Sequence, residues 1–367
     1  MTELSDLPIR DDLKGQKPYG APQLSVPVSL NVNENTHRVP EEVALDVVSR
    51  IAHAVLNINR YPDREFTGLR EALAKYLGRN IAPEQIWAAN GSNEVLQHIF
   101  QAFGGPGRRA LGFTPTYSMY SLLASGTGTE WLTADRADRY ELTPEIITAG
   151  IQANHPNIVL LCSPNNPTGT PVSLECIEAA YKACQQVKTA AGPAILVVDE
   201  AYAEFAHDLN QTALNLLEGR PLLLVSRTMS KAFAFAGARV GYLAADAAVI
   251  DALRLVRLPY HLSAFTQAAA EAALAHSDVM LAAVDDIRVQ RDRIVAELTE
   301  LGLDAYRSDA NFVLFGGLDN PAETWQQLLD RGVLIRNVGI PGTLRVTAGT
   351  ESETTRFLAA LREVLGR

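Results

Sequence analysis

Short, uninterrupted apolar runs alternate with helix-periodic stretches through the middle of this chain. Ile158-Val159-Leu160-Leu161-Cys162, residues 194–198 and residues 222–225 are such runs. A strand covered by helices on both faces need not alternate, so they predict parallel strands in an α/β sheet. Ile86-Trp87-Ala88-Ala89 predicts another short strand, followed by a helix. Val43, Val47, Ile51 and Val55 recur at helical spacing, a second helix over about 68–77 stops at Gly78, and residues 174–189 supply a crossover helix. Residues 278–301 predict one long amphipathic helix leaving the sheet. After it, strands at 311–315, 333–336 and 344–347, a helix near Trp325 and a final helix make a smaller α+β unit. Residues before about Pro40 carry turn formers and little periodicity, predicting an arm across a larger body. The expected domains are an arm over 1–40 that contributes to the small domain and the substrate site, a large domain over 41–275, and a small domain over 276–367.

Composition narrows the function classes. A length of 367 residues suits two domains, and 47% hydrophobic with 20% charged residues is ordinary for a soluble enzyme. A net charge of −10 argues against nucleic acid or an anionic membrane as partner. No apolar run approaches the ~20 residues that span a bilayer, and the first residues lack a signal-peptide pattern, so a cytoplasmic location is expected. Cys162, Cys176 and Cys184 are wrongly spaced for a disulfide framework or a zinc site, and the seven histidines show no ligand spacing, so no metal is expected.

The chemistry concentrates in loops that follow the predicted strands, where open α/β sheets bind ligands. The segment Thr228-Met229-Ser230-Lys231-Ala232-Phe233-Ala234-Phe235-Ala236-Gly237-Ala238-Arg239 sets one lysine among small apolar residues. Of the six lysines, Lys14 and Lys17 lie in a polar segment, and Lys75, Lys182 and Lys188 lie on amphipathic stretches. Lys231 alone has neighbours suited to desolvating an amine into a nucleophile. Asp199 ends a core strand and needs a cationic partner there, for which a protonated pyridine nitrogen is suited; Tyr202 lies three residues on. In Ser163-Pro164-Asn165-Asn166-Pro167-Thr168-Gly169 two prolines restrict the backbone and can hold Asn166 beside a ligand. Asn90-Gly91-Ser92-Asn93-Glu94 opens a helix and offers free N–H groups to an anion, with Thr228, Ser230 and Arg239 to complete the cradle. Tyr117, beside Pro115, could stack on a planar ring. Each feature taken singly is also ordinary: a snorkelling lysine, a turn-capping acid, a tight loop, an N-cap and a packed aromatic.

Together and in this order, these residues resemble the fold-type I pyridoxal-phosphate (PLP) aminotransferases of class I/II, over nearly the whole chain. The lysine segment and the Ser-Pro-Asn-Asn-Pro-Thr-Gly loop are the most specific parts, with Asp199-Glu200-Ala201-Tyr202 between them. The resemblance implies a mostly parallel seven-stranded sheet sandwiched by helices plus a smaller α+β domain. It implies PLP as cofactor, with Lys231 its Schiff-base lysine and the acid–base catalyst, Asp199 the partner of the ring nitrogen, and Tyr202 and Asn166 bonded to the ring oxygen. Tyr117 would stack on the ring, and Ser92, Asn93, Thr228, Ser230 and Arg239 would hold the phosphate. Tyr61 matches a tyrosine lent across a homodimer interface to the neighbour's cofactor.

Lys17-Pro18-Tyr19-Gly20-Ala21-Pro22, Leu30-Asn31-Val32-Asn33-Glu34-Asn35 and residues 344–350 resemble the branch that transaminates histidinol phosphate with 2-oxoglutarate. That branch usually follows Asn-Glu-Asn with proline and an aromatic, whereas this chain has Thr36-His37-Arg38. The resemblance makes Arg345 the substrate-anion arginine and Arg336 a second, with Tyr19, Tyr120 and Tyr260 shaping the pocket; Asn166 and Tyr61 would also meet substrate. His37 and His261 receive no catalytic role. An aromatic amino-acid aminotransferase fits the same residues, and a PLP-dependent decarboxylase of a phosphorylated amino acid shares the lysine and the aspartate. A non-catalytic effector module would need a basic DNA-binding extension absent here, and a nicotinamide enzyme would need a Gly-x-Gly-x-x-Gly turn, also absent.

Overall fold

The structure, a computed structural model, describes residues 3–15 and 20–366. β1 (Val28–Ser29) belongs to the N-terminal segment. The large sheet takes seven strands: β2 (Ile86–Ala89), β3 (Arg109–Thr114), β4 (Glu130–Asp135), β5 (Ile158–Cys162), β6 (Ile195–Asp199), β7 (Leu223–Thr228) and β8 (Gly241–Ala244). Their spatial order is β2-β8-β7-β6-β5-β3-β4, and only β8 runs against its neighbours. Every residue of β5, β6 and β7 is buried, which is why those segments read as unbroken apolar runs. β7 runs past the expected Val225 and carries Thr228 to the sheet edge.

Register positions the chemistry. Cys162 pairs with Asp199, and Asp199 with Ser226, so β5 and β6 end level and β7 runs two residues further, to Thr228. The loops that follow them therefore emerge side by side.

The C-terminal unit contains β9 (Asp304–Ala305), β10 (Phe312–Gly316), β11 (Val333–Leu334) and β12 (Leu344–Thr347). β9, β10 and β12 form an antiparallel sheet packed by the Ala283–Glu300 and Glu351–Leu365 helices. Buried apolar residues sort into two clusters, one around the large sheet and one around this unit. The second also takes Ala201, Tyr202, Phe205 and Ala232 from loops of the large sheet, so the two cores meet at those loops.

Two details differ from the sequence-based expectations. The helix expected over 278–301 is divided into Ser277–Leu281 and Ala283–Glu300, where the Ala282 N–H bonds back only three residues to Val279. The strand expected over 333–336 is ordered only to Leu334; Arg336 continues as an isolated bridge to Arg345. The N-terminal segment is stitched into the smaller unit, because β1 pairs in parallel with β11. Among the described residues no helix is long and apolar enough to cross a membrane, and no three His, Cys, Asp or Glu side chains cluster as metal ligands.

Candidate active site

The ends of β5, β6 and β7, the N-terminus of the Ser92–Phe103 helix, the arm over 31–34 and β12 surround a cleft of about 520 Å³. Of the side chains singled out in the sequence, Ser92, Asn93, Tyr117, Asn166, Asp199, Tyr202, Thr228, Ser230, Lys231, Arg239, Arg336 and Arg345 all line it.

Lys231 stands with its Nζ donating to the Val32 carbonyl at 3.2 Å, 5.9 Å above the centre of the Tyr202 ring. Burial, then the nearby Arg345 charge and to a lesser extent Arg239, lower its pKa to about 8, against an upward pull from Glu34 that exceeds the effect of Arg239. Asp199 is 2% exposed, and burial raises its carboxyl to about 6. Its Oδ2 accepts the Tyr120 hydroxyl at 2.8 Å, whereas Oδ1 is buried with no partner among the described residues. An orphaned carboxylate oxygen on a cleft wall calls for a cationic or N–H-bearing ligand.

A second cluster is built for an anion. Gly91 caps the Ser92–Phe103 helix with φ +83°, and a Cβ there would sit 2.5 Å from the Arg239 guanidinium. Glycine thus lets that cation close over the helix N-terminus. Arg239 donates to Ser230 Oγ at 3.4 Å, and Thr228 Oγ1 to the same atom at 3.0 Å. Helix N–H groups, two hydroxyls and a guanidinium together match a phosphate. Tyr117 closes one side, its hydroxyl donating to Asn93 Oδ1 at 3.2 Å.

The third cluster faces the smaller unit. Arg345 donates to Asn166 Oδ1 at 2.6 Å and to the Asn31 carbonyl at 3.0 Å. Arg336 bridges to it backbone to backbone, and among the described residues Arg336 forms no ion pair. The two adjacent asparagines have separate tasks. Asn165 is fully buried and ties its loop together through Thr116, Pro115 and Thr168, while Asn166 turns into the cleft.

The tyrosine expectations need correction. Tyr120 does not shape the cleft: it is fully buried on the Met119–Thr127 helix, beneath the wall, bonded to Asp199. Tyr260 does not line this chain's cleft either; it stacks on Tyr61 at 4.5 Å between ring centres on the outer surface, where Tyr61, expected to reach a neighbour's site rather than its own, is 79% exposed. Tyr19 lies outside the described residues. His261 stacks on Trp87, and neither it nor His37 lines the cleft.

The sequence reading missed what the arm contributes. Asn33, 2% exposed with φ +57°, donates to the Tyr202 hydroxyl at 3.0 Å, and Asn35 donates to the Ala232 carbonyl at 3.2 Å. The one available signal was the alternation Asn31, Asn33, Asn35 in a segment otherwise short of structure formers. Cys162 also lines the cleft, where burial pushes its thiol up to about 12 and so disfavours the reactive thiolate.

The family described as aminotransferase class I and II matches residues 25–361. The chain is 62% identical over 365 residues to a histidinol-phosphate aminotransferase of Paenarthrobacter aurescens, covering 100% of this chain and 97% of that protein. It is 55% identical to a histidinol-phosphate aminotransferase of Frankia casuarinae, covering 98% and 90%. The crystal structure of histidinol-phosphate aminotransferase from Sinorhizobium meliloti in complex with pyridoxal-5'-phosphate superposes with a TM-score of 0.81 at 27% identity, covering 93% and 91%.

Proposed function

The chain belongs to the class I and II aminotransferases, and we propose that it transfers the amino group between L-histidinol phosphate and 2-oxoglutarate, giving imidazole-acetol phosphate and L-glutamate, a step of L-histidine biosynthesis. The observation that carries the reading is the orphaned Asp199 Oδ1, set in one cleft with a depressed-pKa lysine and an anion cradle. Those three features fit the ring nitrogen, the aldehyde and the phosphate of PLP. The identity of 62% along the full length supports the substrate.

Bound PLP supplies an aldehyde that receives the amino group and a ring that accepts the electrons left at the substrate's α-carbon. The protein's residues do the rest. Asp199 would accept the N–H of the ring through its unpartnered Oδ1 and so keep the ring cationic. Tyr202 receives N–H donors from Asn33 and Asn166 at 3.0 and 3.3 Å, which leaves its own proton to be donated into the cleft. Lys231 Nζ takes the α-proton and returns one, as base and then acid. Arg345 and Arg336 grip the carboxylate of one substrate and the phosphate of the other in turn, since a guanidinium pairs with either.

Adding histidinol phosphate to PLP-loaded protein tests the reading by absorbance. The yellow form is expected to disappear as pyridoxamine phosphate accumulates. A strong preference for phenylalanine over histidinol phosphate would turn the reading toward an aromatic aminotransferase.

We further propose a homodimer with shared sites, acting in the cytoplasm. Leu45, Val48 and Val55 form an exposed apolar stripe on the Glu41–Val55 helix. Leu56, Ile58 and Tyr61 extend it, and Leu255, Leu258 and Tyr260 join it through the Tyr61–Tyr260 stack. Apolar exposure on that scale favours a protein partner, and Tyr61 lies within that patch. The three buried, free cysteines suit a reducing compartment. Leu45→Glu combined with Val48→Glu is expected to shift the protein from dimer to monomer in sedimentation velocity and to remove turnover with it. A monomeric wild type would overturn the shared site.

A further inference from the structure

Tyr120 has no place among the groups that meet cofactor or substrate, yet it makes the one side-chain hydrogen bond to Asp199 among the described residues. Its ring is fully buried, held edge-on by Tyr117 at 5.5 Å and tilted against Trp131 at 6.2 Å between ring centres. The hydroxyl therefore has little freedom, and it donates to Oδ2 only. Burial first, and then the Asp199 charge, hold that phenol far above its usual range, so the proton stays on Tyr120 throughout the working pH range. The remaining neighbours of Asp199 do not duplicate this hold. Glu200 opposes ionisation by like charge, while the Ala201 N–H favours it but is backbone.

We propose that Tyr120 is a positioning residue acting through Asp199: its hydroxyl occupies Oδ2, turns Oδ1 into the cleft, and keeps the proton shared with the cofactor ring on the ring nitrogen rather than on the carboxylate. No covalent bond changes in this role. One hydrogen-bond donor biases where one proton rests between two acceptors. The inference rests on the reading of the cleft as a PLP site.

Tyr120→Phe removes only the hydroxyl and keeps the packed ring. In the loaded variant, the resonance of ¹⁵N-labelled ring nitrogen is expected to move from pyridinium toward neutral pyridine. Turnover is expected to fall about ten- to a hundredfold, the scale of one hydrogen bond to a charged group, with KM for the amino donor changed much less. In an Asp199→Asn background the same substitution is expected to cost nothing further, because the two groups act as one unit. In the cofactor-free protein, the infrared band of the protonated Asp199 carboxyl should titrate at higher pH once the hydroxyl is gone. An unmoved ring-nitrogen resonance, or an equal loss in both Asp199 backgrounds, would overturn the proposal and leave Tyr120 a packing residue. Failure of the wild type to bind PLP would overturn the functional reading instead, and the cofactor-free titration would still decide whether Tyr120 governs Asp199.

Discussion

Lys231→Ala is expected to lower transamination at least about a thousandfold, because one substitution removes both the covalent attachment and the acid–base group. The half-reaction with histidinol phosphate measures this directly. In the wild type, borohydride should fix the cofactor onto residue 231, and in the variant onto nothing. Near-normal turnover in the variant would remove the mechanism. The same lysine sets a stability test. Its folded pKa of about 8 lies below the ordinary 10.5. Between those values the unfolded chain binds a proton that the folded chain has released, so the stability of the cofactor-free protein rises with pH through that window. Below about pH 8 the buried charge is destabilising in full. Lys231→Met is therefore expected to melt higher than wild type at pH 7 without cofactor, and to show a flatter rise above pH 8. Function has kept a group that the empty fold would be better without.

How legible the chain was depends on where the deciding information lies. β5, β6 and β7 could be read because burial on both faces writes itself into a few consecutive residues. β4 could not, since every one of its residues is exposed or half-buried and they carry no apolar run, and β8 is only Gly-Tyr-Leu-Ala. The residues proposed to hold the cofactor were legible for a related reason: Asp199, Asn166 and Lys231 each follow a readable strand closely, and the neighbouring strand ends bring their loops together. Tyrosines carry no such marker. Tyr117 and Tyr120 are three residues apart beside the same turn, and only the direction each takes from the start of the Met119–Thr127 helix puts one in the cleft and the other beneath it. Asn33 meets Tyr202 across 169 residues of chain, a pairing that no local pattern encodes.

Asp199→Asn is expected to lower turnover about 10²- to 10³-fold, the scale of losing one preorganised electrostatic contact at the reacting system. The fold should survive, because the amide oxygen can still accept from Tyr120. The sharper signature is a change of sign in stability against pH. In the cofactor-free protein the folded pKa is about 6, above the ordinary 3.8. Between those values the folded chain holds a proton that the unfolded chain gives up, so this group's contribution is full below 3.8 and is lost as pH rises to 6. Above that, the buried anion costs the empty protein its desolvation. A cationic ring nitrogen bound at Oδ1 would reverse the situation. It holds the carboxylate ionised and draws the folded pKa below 3.8, so the group's contribution is then lost as pH falls through the lowered value. Melting temperatures of wild type and Asp199→Asn, compared across pH 4 to 7, isolate this group from the other carboxylates. Without cofactor the variant should be the more stable protein at pH 7, and its advantage should shrink toward pH 4. With cofactor bound, wild type should be the more stable at pH 7. If cofactor leaves the difference between the two proteins unchanged, Asp199 does not meet the ring nitrogen, and the chemistry assigned to this cleft loses its electron sink.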